Sequence, residues 1–307
     1  MFDRKHLGKC VAVATVCLAL GGTIGSVRIA VGGVIENILA DAAGRKTSVA
    51  ASHAGEEPSA RRKHDARHEY DFEDDETRDA ETSFWLYVGE ELVWPAVSSP
   101  IWVPMAVLED EHDHVTRFLD YPYQEPGCGC LFAGSAAPSS WSLEQALWGR
   151  ASVDFATPVD DVYRVGGTLF LSGANRFGLD AQAHWFEERL SDGTYDHMTL
   201  GDADIHYRFA ESERGYFYIG LGFNWIEGEG QFDAGVNTTY GFDLFFARPF
   251  VSSTQIDLGT LGDTSLFRFR TTLGAAAGRF EPFIGYEYLD VGTTELNQLV
   301  SGISFSF

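Results

Sequence analysis

The sequence predicts an all-β chain: an antiparallel up-and-down transmembrane β-barrel of about ten strands, led by a short helical or irregular N-terminal segment. Two observations carry this. From residue 147 to residue 307 apolar and polar side chains alternate with a period of two, and successive residues of a strand face opposite sides. The chain of 307 residues also combines 33 glycines with 23 phenylalanines, 12 tyrosines and 7 tryptophans. Aromatic residues favour strands and glycines favour tight turns.

The N-terminal part divides into three stretches. Residues 1–42 read as an export signal or an uncleaved anchor. Arg4, Lys5 and Lys9 precede an apolar run from Cys10 to Leu20, then small residues, the layout of a secretory leader. Ala19-Leu20-Gly21 and Ala40-Asp41-Ala42 both fit a cleavage site. Residues 43–82 are charged and nearly free of apolar side chains, as in a disordered linker. His53, His64 and His68 fall there at loose spacing and read as solvated.

Residues 83–146 form a Trp- and Pro-rich segment. Phe84 to Trp94 is expected to be a short amphipathic helix ended by Pro95, either an interfacial or plug segment or one packed on the main domain. Cys128-Gly129-Cys130 is expected in a loop, as a disulfide or as free thiols. Further metal ligands are not nearby, apart from His114 and Asp120, and a bridge closing over a single residue is strained. Trp141 to Trp148 reads as one or two helical turns.

Residues 147–307 hold the alternating stretches. In the first, Leu147, Gly149, Ala151, Val153 and Phe155 oppose Arg150, Ser152 and Asp154. In the fourth, Ala203, Ile205, Tyr207 and Phe209 oppose Asp202, Asp204, His206 and Arg208. In the eighth, Phe267, Phe269, Thr271 and Leu273 oppose Arg268 and Arg270. The spacing sets five loops at one end, 157–161, 189–198, 227–234, 260–264 and 291–297. Shorter turns fall at the other, 173–175, 210–215, 248–252 and 277–280.

A soluble barrel turns its apolar face inward; a membrane barrel turns it toward lipid. Large aromatics near stretch ends (Trp185, Phe209, Trp225, Phe246, Tyr288) favour the membrane. So do polar faces mixing glycine with both signs of charge, and the ending Ile303, Phe305, Phe307 at alternate positions. With that ending the chain resembles bacterial outer-membrane β-barrels over residues 147–307. The resemblance implies that Ile303, Phe305 and Phe307 form a signal read by the barrel-assembly machinery. It also implies outer-membrane lipid as the surroundings and the cell outer membrane as the location. Asn237 to Asp243 and Asp257 to Gly262 are similar to segments of exported barrels of unassigned function.

The polar face supplies the candidate site: a lumen network of Asp180, His184, Asp202, Asp204, His206, Arg208, Asp243, Asp257, Arg268, Arg270, Glu281 and Glu287. A hairpin centred near Gly193 pairs His184 with Asp202 and Asp180 with His206. Asp257 faces Arg268, Gln255 lies near Arg270, and Asp243 lies near Asp257. Arg268 and Arg270 are expected to be neutralised by Asp257, Asp243 and Glu287. A His–carboxylate pair is general-base chemistry. The omptin-type outer-membrane proteases carry theirs at an extended rim, whereas no stretch here reads as long enough to rise above a bilayer. A rigid ion-paired lumen is the expected reading.

A net charge of -23 argues against nucleic-acid binding. No phosphate loop, metal-ligand helix pair or nucleophile elbow occurs, so no metal and no cofactor is expected. The expected role is structural, anchoring or weakly pore-forming, without catalysis. A soluble secreted barrel binding an apolar ligand is the alternative, and an outer-membrane hydrolase using His184, His206 and Asp202 a third.

Overall fold

A computed structural model describes residues 33–44, 94–110, 117–124, 131–133, 147–158 and 162–307. The linker, its histidines and Cys128 and Cys130 lie outside these residues, as do residues 84–93 of the expected helix. A unit spanning Ser48–Val103 is distinct from the remainder.

Helix α1, Val34–Ala42, and helix α2, Trp94–Leu108, are the two described helices. Pro95, expected to end a helix, is the second residue of α2; in the first turn its missing N–H costs no bond. Two short strands, β1 Arg117–Phe118 and β2 Phe132–Ala133, pair with each other.

Ten further strands follow: β3 Leu147–Pro158, β4 Val162–Gly173, β5 Phe177–Arg189, β6 Tyr195–Ser212, β7 Gly215–Gly228, β8 Gln231–Ala247, β9 Phe250–Leu261, β10 Thr264–Ala275, β11 Phe280–Val291 and β12 Thr294–Ser306. Each pairs antiparallel with its sequence neighbours, and β12 pairs with β3, closing the barrel. At that seam Phe307 and Gly149 exchange both backbone hydrogen bonds, at 2.8 and 2.9 Å. Leu147 and Trp148, expected in a helical turn, open β3.

The polarity is inverted relative to a water-soluble core. Ile205, Leu221, Val236 and Ile284 point outward and are each about two-thirds exposed. Tyr163, Trp185, Tyr195 and Phe232 are exposed near one end of the barrel. Phe177, Phe246, Phe250, Phe280 and Phe307 are exposed near the other. Of the aromatics expected at stretch ends, Trp185 and Phe246 are exposed. Phe209 is buried against Phe217 and Phe242, with Met105, Val107 and Leu108 packed on the group.

Inside, three layers stack along the axis. A charged middle layer lies between two apolar ends. At the mouth carrying the 262–263 and 292–293 turns, Phe186, Met198, Leu200, Ile226 and Leu289 face inward and pack on Ile35, Ile38 and Leu39 of α1. At the mouth carrying the chain terminus, Trp148, Phe170, Tyr216, Tyr218 and Phe245 pack on Phe118, Tyr123, Leu131 and Phe132. Tyr123 donates to the Phe250 carbonyl at 2.6 Å, and burial pushes its phenol up to about 12.

The expected difference in loop length between the ends is absent. Of the stretches read as loops, 189–198 is half strand and 227–234 mostly strand: β5 and β6 leave residues 190–194 between them, and β7 and β8 only Glu229 and Gly230. Period-two alternation is invisible where a strand's outer end is polar on both faces, as at Tyr195–His197. Consequently β6 runs for 18 residues and β8 for 17, longer than the sequence expectation.

Candidate functional site

The strands carry every second residue into the lumen, so the candidate residues arrive there by parity. Asp180, His184, Asp202, Asp204, His206, Arg208, Asp243, Asp257, Arg268, Glu281 and Glu287 are buried; Arg270 is partly buried. Taking so many charges out of water is costly unless each finds a partner. Some partners come from neighbouring strands and others from strands three to five away around the barrel.

One group of four sits on β3, β4, β10 and β11. Arg164 lies 2.7 Å from Asp154 and 2.9 Å from Glu287. Arg270 lies 2.6 Å from Asp154 and 3.2 Å from Glu287. Two guanidinium groups thus share two carboxylates, and their charges balance. Gly166 faces this group: a Cβ there would collide with His184 Nδ1 and crowd Asp154 Oδ1, which lies 2.8 Å away. The missing side chain makes room for the network.

A second group is acidic. Arg268 binds Asp202 at 2.6 Å and Asp257 at 2.8 Å. Asp204 accepts from Asn237 and Thr239, both at 2.8 Å. Thr239 lies 2.6 Å from Asp257. Gln182 donates to Asp202 at 3.0 Å, and Gln255 to Asp180 at 3.2 Å and Asp257 at 3.1 Å. Here four carboxylates meet one guanidinium, and neutral donors supply further bonds, with Asp204 Oδ1 left without a partner among the described residues.

A third group lies nearer the aromatic end. Arg150 binds Asp243 at 2.7 Å, and the Tyr216 hydroxyl donates to the same carboxylate at 2.5 Å. The Arg150 guanidinium also sits 5.8 Å from the ring centres of Trp148 and Phe170, within cation–π reach. Arg208 binds Glu211 at 2.9 Å, donates to Ser172, and lies 4.8 Å over the Phe118 ring. Arg176, in the β4–β5 turn, holds Asp110 at 2.7 and 2.8 Å through two nitrogens.

Three sequence expectations are corrected. First, His184 does not meet Asp202, nor Asp180 His206. The register pairs His184 with Leu200 and Asp202 with Gln182, two residues away from the expected pairing. The cause is the turn: Asp192 Oδ1 accepts from the Thr194 backbone N–H and hydroxyl, at 2.9 and 2.6 Å. This Asx-turn centres the hairpin on Asp192 rather than Gly193, and those bonds lower the Asp192 carboxyl's pKa. His184 instead contacts Arg164 at 2.9 Å and Gln182 at 3.2 Å. His206 stacks on Phe170 at 4.2 Å. The two His–carboxylate pairs that the hydrolase alternative needs are therefore not formed.

Second, Asp243 does not lie beside Asp257. Thr239 pairs with Asp257 and Asp243 with Ser253, and the ladder shifts between Leu244 and Ala247. Third, Asp243 neutralises Arg150, not Arg268 or Arg270. Asp202 and Asp154 take those roles. Asp257 does face Arg268, and Gln255 does face Arg270. Arg150, Asp154, Arg164, Gln182, Asn237, Thr239 and Gln255 complete the network without having been picked as site residues. The signal that finds them is their place on the polar face of their own strand's alternation.

The network leaves an internal cavity of about 60 Å³ bordered by Arg150, Asp180, Tyr218, Asp243, Gln255 and Glu281. It suits a few waters rather than an apolar ligand. Among the described residues, no three His, Cys, Asp or Glu side chains converge as a metal site.

No family model and no curated protein matches the chain. The solved structures it is similar to include bacterial outer-membrane barrels. Neisserial surface protein A is 14% identical with a TM-score of 0.28, covering 52% of this chain and 96% of its own. The Yersinia pestis outer membrane protein Ail is 12% identical at a TM-score of 0.30, with 52% and 99% covered. The N-terminal barrel domain of Pseudomonas aeruginosa OprF is 15% identical at 0.27, with 52% and 97% covered. The barrel described here stands on its own strand pairing.

Proposed function

We propose that the chain is an outer-membrane β-barrel with a structural or anchoring role, sealed along its axis and without catalysis. The single observation carrying this is the inverted polarity. Aliphatic side chains at Ile205, Leu221, Val236 and Ile284 are exposed, whereas Arg164, Asp154 and Glu287 are buried. Water would favour the opposite arrangement, since burying charge is costly and burying apolar area is favourable. Lipid favours the one found, with aromatics at both rims.

The lumen supports sealing over conduction. Charged struts cross it, and packed apolar residues fill both mouths. A ten-stranded barrel is narrow enough for side chains to fill. The soluble alternative needs an apolar interior, and the interior is ionic at its centre. The hydrolase reading needs a His–carboxylate pair, and His184 and His206 have other partners.

Cell fractionation tests the reading. The protein should pellet with outer membranes and resist extraction by high salt. Recovery in a soluble fraction would overturn it.

A further inference from the structure

We propose that the mouth ringed by Phe186, Met198, Leu200, Ile226 and Leu289 is a helix-binding site, with α1 as its resident ligand. The helix is a built-in plug that remains part of the exported protein. This extends the sealed-barrel reading by naming what closes one end.

The helix is built to dock. Ile35, Ile38, Leu39 and Ala42 follow the i, i+3, i+4, i+7 spacing of one face, and all four are buried. Glu36, on the other side, is exposed. An isolated helix of nine residues is marginal in water, so its order comes from packing.

Its ends are held by specific bonds. The position before the helix is Gly33, which offers no side-chain cap, so the first-turn N–H groups need an outside acceptor. Glu188, more than 150 residues along the chain, supplies it: Oε1 accepts from the Val34 N–H and Oε2 from the Ile35 N–H, each at 2.9 Å. A carboxylate there also meets the positive end of the helix dipole. At the other end, Asp41 Oδ2 accepts from the Thr293 N–H at 2.9 Å and its hydroxyl at 2.7 Å. The Asp263 N–H reaches the Ala42 carbonyl at 3.4 Å. Recognition thus combines an apolar ring, one carboxylate for a helix N-terminus and two turns for its C-terminus.

Retention follows. The Ala40-Asp41-Ala42 sequence fits a leader-processing site, yet cleavage there would release the helix and bare the apolar ring to water. The mature chain should therefore keep residues 34–42, with any processing upstream of Gly33.

The test uses the full chain purified from membranes. Mass analysis of its N-terminus should find residues 34–42 present. Hydrogen exchange should find the Val34 and Ile35 amides protected, and Glu188→Ala should remove that protection. The loss of a helix cap should lower the docked-to-free ratio about 2- to 30-fold. With the four native cysteines replaced by serine, a maleimide should label Leu39→Cys far more slowly than Glu36→Cys. A mature chain lacking residues 34–42, unprotected Val34 and Ile35 amides, or equal labelling at both positions would overturn the plug. Heat-modified gel mobility and membrane recovery of the same samples report separately on the barrel and its location, so loss of the plug is distinguishable from loss of the membrane reading.

Discussion

Arg150 on β3 and Asp243 on β8 stand on opposite walls, five strands apart around the barrel, with 2.7 Å between Nη1 and Oδ2. The pair is a strut across the lumen. Arg268 to Asp202 and Gln255 to Asp180 repeat the device from β10 to β6 and from β9 to β5. Such bonds tie walls that the strand ladder does not join.

Asp243→Ala should be strongly destabilising. It leaves the partly buried Arg150 without its carboxylate and the buried Tyr216 without an acceptor. Breaking a buried pair costs about 3–5 kcal/mol. Denaturant unfolding of the detergent-refolded protein should show a lower midpoint with an unchanged slope.

Asp257→Ala should cost less, about 1–3 kcal/mol. Arg268 keeps Asp202, and removing one of four carboxylates around a single guanidinium relieves repulsion. The same unfolding measurement checks the order of the two variants. A larger loss for Asp257→Ala would show that the acidic group is not shared as described.

The parent should show no stable single-channel conductance in planar bilayers. Paired substitution of Arg150→Ala and Asp243→Ala removes the strut beside the existing cavity, and any conductance should appear there first. A steady open channel in the parent would contradict sealing.

Alkaline pH should loosen the segment at the aromatic mouth. Burial raises the Tyr123 phenol from 10.0 to about 12, so the neutral form is favoured in the folded state. Its stabilisation is full below pH about 10 and fades as pH rises toward about 12. Phenolate absorbance should report the late titration, and Tyr123→Phe should remove that step.

The architecture was legible because barrel closure preserves parity. Within each strand every second residue shares a face, so the inward set of that strand follows from its own alternation. Partner choice was not. His184 missed Asp202 because one Asx-turn at Asp192 shifted the hairpin by two residues. The ladder shift between Leu244 and Ala247 moved Asp243 away from Asp257. Contacts such as Arg150 to Asp243 depend on how the closed sheet is sheared, which no local spacing encodes. The apolar layers at the mouths were hidden for another reason: Phe186, Met198 and Leu200 occupy inward positions, where the pattern calls for polar residues. Their partner α1 lies in a stretch that reads as leader or anchor.

The central claim is that the outer face meets lipid, and a charge placed on it tests this most directly. Ile284 is 67% exposed near the middle of β11. Ile284→Arg, refolded into lipid vesicles, should lose roughly 2–4 kcal/mol of stability against the parent. In a barrel whose outside faced water the same change would fall within about 0.5 kcal/mol of neutral. A neutral Ile284→Arg, in a protein that still folds, would contradict the membrane barrel.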